Sequence, residues 1–220
     1  MARQQLVLRL VQVALVAVCL IPIAVLLWRG FHDELSANPI SDITKETGVW
    51  TLRLIVTGLA ISPLRRFTGW SVFARYRRTI GLMAFFYACL HFTTYIWLDK
   101  FFDVDEMIRD VAKRPFITVG FTTFLLLIPL AATSTNRIMK WMGGKNWKRL
   151  HRLVYICGVG GVVHYLWLVK ADKHRPVIYG VIVAFLLGVR LWDYFRTRPR
   201  KAKIGAASSQ FVSAGAQQAD

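Results

Sequence analysis

The chain reads as long apolar runs separated by short charged connectors. The runs extend from Leu6 to Trp28, Gly48 to Leu64, Thr79 to Leu98, Phe116 to Ala132, Leu150 to Val169 and Val177 to Phe195. Each reaches or approaches the roughly 20 residues an α-helix needs to cross hydrocarbon. The pattern predicts an all-α integral membrane bundle of six spans, the second and fourth at the short limit. Pro22, Pro63 and Pro129 fall in or near spans and are expected to mark kinks or helix ends. The first run lacks a small-residue cleavage site and is read as a retained helix.

Between the third and fourth runs, Asp99 to Arg114 interleaves Phe101, Phe102, Val104, Met107, Ile108 and Val111 with charges, as a short helix lying on a surface does. It serves either as an amphipathic connector or as a platform for a partner. From Ile204 onward the residues are small and polar, so a membrane domain over 1–203 and a disordered tail over 204–220 are expected. No internal repeat and no soluble catalytic domain is visible.

Composition agrees with the pattern, with 55% hydrophobic residues and a mean hydropathy of +0.42. The net charge of +17 suits nucleic acid only if it forms a stripe on a soluble face, and it is distributed otherwise. One set of loops and ends holds nineteen Lys and Arg against two acids; the opposite set holds nine against ten. That asymmetry follows the positive-inside rule and places both termini in the cytoplasm, where the charge also attracts anionic lipid. A partner of nucleic acid is excluded on this reading. Cys19, Cys89 and Cys157 lie in separate runs with no CxxC, so no thiol redox motif, zinc site or covalent haem attachment is expected.

The chemistry resides in histidines. A histidine inside a span is costly and marks function by default. His91 lies 13 residues past Arg78, and His164 lies 12 past Arg152. At about 1.5 Å rise per residue both sit about 18 to 20 Å from the cytoplasmic boundary. Two level histidines on two helices can clamp one haem iron. The competing reading has them hydrogen-bonded in the bundle or relaying protons in a transporter component. Gly160 and Gly161, just before His164, leave room for a macrocycle or serve close helix packing. His151 begins the fifth run, about 20 Å below His164 by helix rise. It is either a ligand of a second haem or an interfacial histidine, and on an ideal helix it does not share a face with His164. Arg53, inside the second run, either snorkels outward or pairs with a haem propionate. His32 and His174 read as solvated loop residues.

The arrangement of His91, His151 and His164 in six runs resembles the ferric-reductase-like transmembrane domain shared with NADPH oxidases. The stretches NPISDITKETG, ISPLRR, RRTIGLMAFFYACLHFTTY, RPFITVGF, TSTNRIMKWMGGKNWKRLHRLVY and HYLWLVK resemble more closely the MsrQ (YedZ) family. These are haem-binding membrane subunits of the bacterial MsrPQ methionine sulfoxide reductase. The resemblance implies an inner-membrane electron-transfer subunit, not the catalytic one. It implies haem b, one or two per chain, with His91, His151 and His164 as ligands, and FMN as a further cofactor. Electrons would come from the quinone pool or a cytoplasmic flavin reductase and go to MsrP, a periplasmic molybdopterin protein. MsrP would form a heterodimer with the chain and repair methionine sulfoxide in periplasmic proteins. Arg78 or a neighbour stands where the wider domain has a fourth histidine. An autonomous ferric reductase is disfavoured because no FAD or NADPH domain is fused to the runs.

Overall fold

The computed structural model describes residues 2–69 and 72–217, and the side chains of these apart from 2, 73, 74 and 197–217. Trp70 and Ser71 of the basic RRFTGWSVFARYRR loop therefore lie outside the described residues. The chain is all-helical among them: α1 (Ala2–Phe31), α2 (Pro39–Thr68), α3 (Val72–Thr93) prolonged by a π-helical segment (Thr94–Asp99), α4 (Val104–Lys113), α5 (Pro115–Ala132), α6 (Asn136–Met142), α7 (Gly144–Leu150), α8 (Leu153–Leu168) and α9 (His174–Gln217).

Local chemistry explains the boundaries. Asn38 caps α2, its side chain accepting from Ser41 N–H, with Pro39 at the first helical position, where a missing N–H costs nothing. Gly69 closes α2 in the left-handed conformation at φ 73°, the usual glycine stop. Pro22, Pro63 and Pro129 lie inside α1, α2 and α5, so none ends its helix. At the C-terminus of α5 the hydroxyls of Thr133 and Ser134 donate to the carbonyls of Pro129 and Leu130, in the last turn, where a helix end leaves carbonyls for side chains to satisfy.

Five helices among the described residues are long and apolar enough to cross a membrane: Arg3–Phe31, Pro39–Thr68, Arg75–Asp99, Pro115–Ala132 and His174–Arg196. The chain is a multi-pass membrane protein. The fifth expected run does not form one helix. A turn at His151 and Arg152 separates α7 from α8, leaving α8 with 16 residues. The reason lies in Trp147, whose indole N–H donates to Thr133 O at 2.9 Å. This folds α7 against the end of α5 before α8 begins.

The chain divides into two compact units, Met1–Val183 and Ala184–Asp220. The second holds the remainder of α9 as far as Gln217; of the tail expected to be disordered, residues 218–220 lie outside the described residues, as do the side chains of 204–217. In the first unit, α2 packs chiefly on α3 and α5 chiefly on α8, making two helical hairpins. Their shared core holds Leu59 and Tyr87, each 1% exposed, and Cys157 at 0%. The Tyr87 hydroxyl donates to Cys19 O of α1 at 2.7 Å.

The amphipathic helix expected between the third and fourth runs is α4. A buried ion cluster holds it: Lys100, 6% exposed, lies 2.5 Å from Glu106, 2.9 Å from Asp110 and 3.7 Å from Asp99. Arg114 pairs with Asp110 at 3.2 Å. Asp103 caps the helix, accepting from Glu106 N–H at 2.9 Å. Phe101 and Phe102 between them adopt positive φ of 46° and 63°, a conformation costing about 1–2 kcal/mol per non-glycine residue. Both rings are exposed.

Candidate metal centre

Each hairpin delivers one histidine to a common point. His91 stands near the end of α3 and His164 in α8, and their rings meet with centroids 6.1 Å apart and planes 77° apart. The His91 Nδ1–H donates to Thr44 O of α2 at 2.9 Å. The His164 Nδ1–H donates to Phe116 O of α5 at 2.6 Å. A carbonyl on Nδ1 fixes the tautomer and leaves Nε2 as the lone-pair atom, the arrangement found around metal-bound imidazoles.

Both histidines line a cavity of about 1290 Å³, larger than the roughly 300–1,000 Å³ of ordinary ligand pockets. Its inner wall is apolar, with Ile55, Ala88, Phe92, Phe124 and Leu127. Arg29, Arg53, Arg114 and Arg175 also line it, and Met107 and Val111 of α4 cover one side. Asp42, Glu46 and Asp99 line it too, so the cavity has an apolar wall and a mixed charged rim, where the guanidinium groups could receive the carboxylates of a bound molecule.

The pair fits a metal inside such a molecule. With metal–imidazole bonds of about 2 Å on each side and about 1 Å from ring nitrogen to ring centre, centroids stand about 6 Å apart, as here. Among the described residues no group of three or more His, Cys, Asp or Glu could hold a metal. His91 and His164 alone would leave a metal short of donors, so a metal held here would bring its remaining donors with the molecule that carries it. Each imidazole lies directly on a glycine: a Cβ on Gly48 would lie 2.9 Å from His91 Cε1, and one on Gly120 would lie 2.6 Å from His164 Nδ1.

The remaining expected residues are placed as follows. Arg53 lines the cavity; its Nε–H donates to the Tyr179 hydroxyl at 3.1 Å and its guanidinium lies 4.6 Å from the Trp50 ring centre. Gly161 lines the cavity as well. Gly160 does not; a Cβ there would run into Thr123 Oγ1, so this glycine serves the contact of α8 with α5. His151 is remote from the pair. It caps α7, with Nδ1 3.1 Å from Trp147 O and its ring stacked on Trp147 at 3.8 Å, and the backbone of Leu130 in α5 offers the ring a second polar neighbour. Because the chain turns at His151, the ideal-helix azimuth between it and His164 no longer applies. Arg78 donates to Asn136 at 2.5 Å and contacts Met139 of α6, tying the base of α3 to that helix. His32 stacks on Trp28, and both it and His174 are exposed. Gly48, Gly120, Thr44 and Phe116 were not singled out by the sequence.

Fold and site together define a multi-pass membrane protein in which two histidines from separate helices meet beside a large cavity. Residues 47–162 match the family described as Ferric reductase like transmembrane component. Three curated relatives carry the name protein-methionine-sulfoxide reductase heme-binding subunit MsrQ. The one from Herminiimonas arsenicoxydans is 51% identical, covering 91% of this chain and 93% of that protein. That from Ralstonia nicotianae is 46% identical over 91% and 93%, and that from Caulobacter vibrioides 48% over 84% and 88%. No solved structure matches significantly. The chain belongs to the MsrQ family.

Proposed function

We propose that the chain is a b-type cytochrome that binds one haem between His91 and His164 and passes electrons to a methionine sulfoxide reductase partner. The observation that carries this is the histidine pair itself, 6.1 Å apart, each ring held by a backbone carbonyl. When bound, the haem iron carries one electron at a time between Fe(III) and Fe(II). The chain's own residues do the rest. Thr44 and Phe116 carbonyls keep Nε2 unprotonated, the apolar wall excludes water, and the arginines receive the propionates.

In this reading α8 crosses as a short sixth span, both termini are cytoplasmic, and the membrane is the bacterial inner membrane. The support is the nineteen-to-nine cation asymmetry. It puts the histidine pair and α4 near the periplasmic face. The partner is periplasmic MsrP, which needs two electrons and two protons to convert a sulfoxide to thioether and water; the quinone pool or a cytoplasmic flavin reductase supplies the electrons. The family resemblance also gives His151 a ligand role towards a second haem on the opposite side.

His91→Ala and His164→Ala are each expected to abolish the bis-imidazole spectrum and electron delivery, measured by visible absorption of the reduced and oxidised protein. An unchanged spectrum in both variants would sink the assignment and leave proton relay as the role of the pair.

A further inference from the structure

The two hairpins treat their histidines alike. In α2, Thr44 O accepts from His91 and Gly48, one turn on, faces the same ring; in α5, Phe116 O accepts from His164 and Gly120, one turn on, faces that ring. The chain separations between acceptor and histidine are 47 and 48 residues. In an α-helix the carbonyl of residue i already accepts the N–H of i+4, and its second lone pair can take another donor. At Thr44 O the His91 bond, at 2.9 Å, is shorter than the 3.1 Å approach of the Thr47 hydroxyl, which donates more closely to Ile43 O. An imidazole reaching that lone pair must lie across the backbone where the side chain of i+4 would begin. Only glycine leaves that place empty. A Cβ at Gly48 would meet His91 Cε1 at 2.9 Å and Nδ1 at 3.0 Å; one at Gly120 would meet His164 Nδ1 at 2.6 Å and Cε1 at 2.7 Å.

We infer that Gly48 and Gly120 are positioning residues: each forms, with the carbonyl one turn before it, a seat that sets the plane and tautomer of one imidazole. The inference rests on the reading of His91 and His164 as axial ligands. The two seats hold the ring planes 77° apart. Near-perpendicular imidazoles leave two iron d orbitals almost equal in energy, which gives a ferric low-spin resonance with one very large g value. Parallel rings split these orbitals and lower that value. The seat therefore has a spectroscopic signature independent of turnover.

The test uses the full-length, haem-loaded protein. Gly48→Ala and Gly120→Ala are compared with Gly81→Ala, a helical glycine with open space around its Cβ position. Expected is a loss of haem affinity of roughly 10- to 100-fold in the first two, with the large-g signal moved or replaced by high-spin iron, and no change in Gly81→Ala. Full occupancy with the wild-type ferric resonance in both seat variants would overturn the inference. If neither variant folds, the seat is read without touching a glycine, by titrating His164→Gly protein with imidazole and with 1-methylimidazole. Imidazole, which can donate to Phe116 O, should restore the low-spin band at about ten-fold lower concentration; equal concentrations would overturn the inference. His91→Ala and His164→Ala run alongside. If these retain the wild-type spectrum, the axial-ligand reading falls and the seats with it. If they lose it while the seat variants do not, only the seats fall.

Discussion

Arg53 is the residue whose surroundings narrow its role most. A snorkelling arginine reaches for water, whereas this guanidinium is held by the Tyr179 hydroxyl and the Trp50 face beside the cavity. Arg53→Leu is expected to raise the haem dissociation constant about ten-fold or more, the range for a charged hydrogen bond. Arg53→Lys should be milder, since charge survives and the planar fork does not. Haem titration of the apoprotein checks both, and unchanged affinity in the leucine variant would return Arg53 to a lipid-facing role. At this scale the sequence anticipated that His91 and His164 lie at one level, where the structure brings their rings together, because equal depth on two spans follows from helix rise alone. It could not disclose Gly48 and Gly120. Each acts on a histidine of another helix, and no local period connects them. The reading instead favoured Gly160 and Gly161, neighbours of His164 along its own helix, of which only Gly161 reaches the cavity.

Among the elements, α4 was legible as an amphipathic surface helix, but its charges were not legible as structural. Lys100 is buried and survives there through Glu106 and Asp110. Burial pushes the Asp110 carboxyl up, but hydrogen bonding and charge from Lys100, with Arg114, hold it below its ordinary value. The same cluster raises Lys100. Asp110 thus stabilises α4 above its unfolded-state pKa, ordinarily about 3.9, and the contribution is lost as pH falls through the depressed folded value. Lys100 contributes below its unfolded pKa and loses its contribution only in strong alkali. Amide exchange in α4 is expected to accelerate in acid below the ordinary aspartate range, and Asp110→Asn should produce that faster exchange at neutral pH. Equal protection of wild type and Asp110→Asn at neutral pH would remove the cluster's structural role.

The same cluster corrects how α4 can be tested as a dock. Asp103 caps the helix and Glu106 pairs with Lys100, so reversing either charge would disturb the helix itself. Asp105 and Arg109 are exposed and enter neither contact. Asp105→Lys is expected to slow haem reoxidation by purified MsrP several-fold at low salt, with haem content unchanged, because a rim charge acts on encounter. Stopped-flow rates independent of both the substitution and salt would move the dock to another part of the surface.

For the whole molecule, hydropathy revealed the membrane class, and charge counting supplied an orientation. The break at His151 escaped because an apolar count passes over a basic turn held by one indole hydrogen bond. Reporter fusions after residues 31, 113 and 203 check the orientation; activity of a periplasmic phosphatase is expected at the first two and absent at the third. The pairing of hairpins also escaped, since their likeness lies in backbone acceptors and a single glycine, which leave little trace in composition.

That pairing has a consequence for biogenesis. α2 with α3, and α5 with α8, each bury most of their contacts within their own hairpin, so a nascent chain can complete both before any pigment arrives. Neither half alone owns a ligand pair. On the proposed reading a haem would act as a rivet, joining two finished parts where each presents an imidazole. Pigment supply, ahead of translation or insertion, would set how many copies mature, and unriveted chains would offer the quality-control proteases of the membrane a seam between the hairpins.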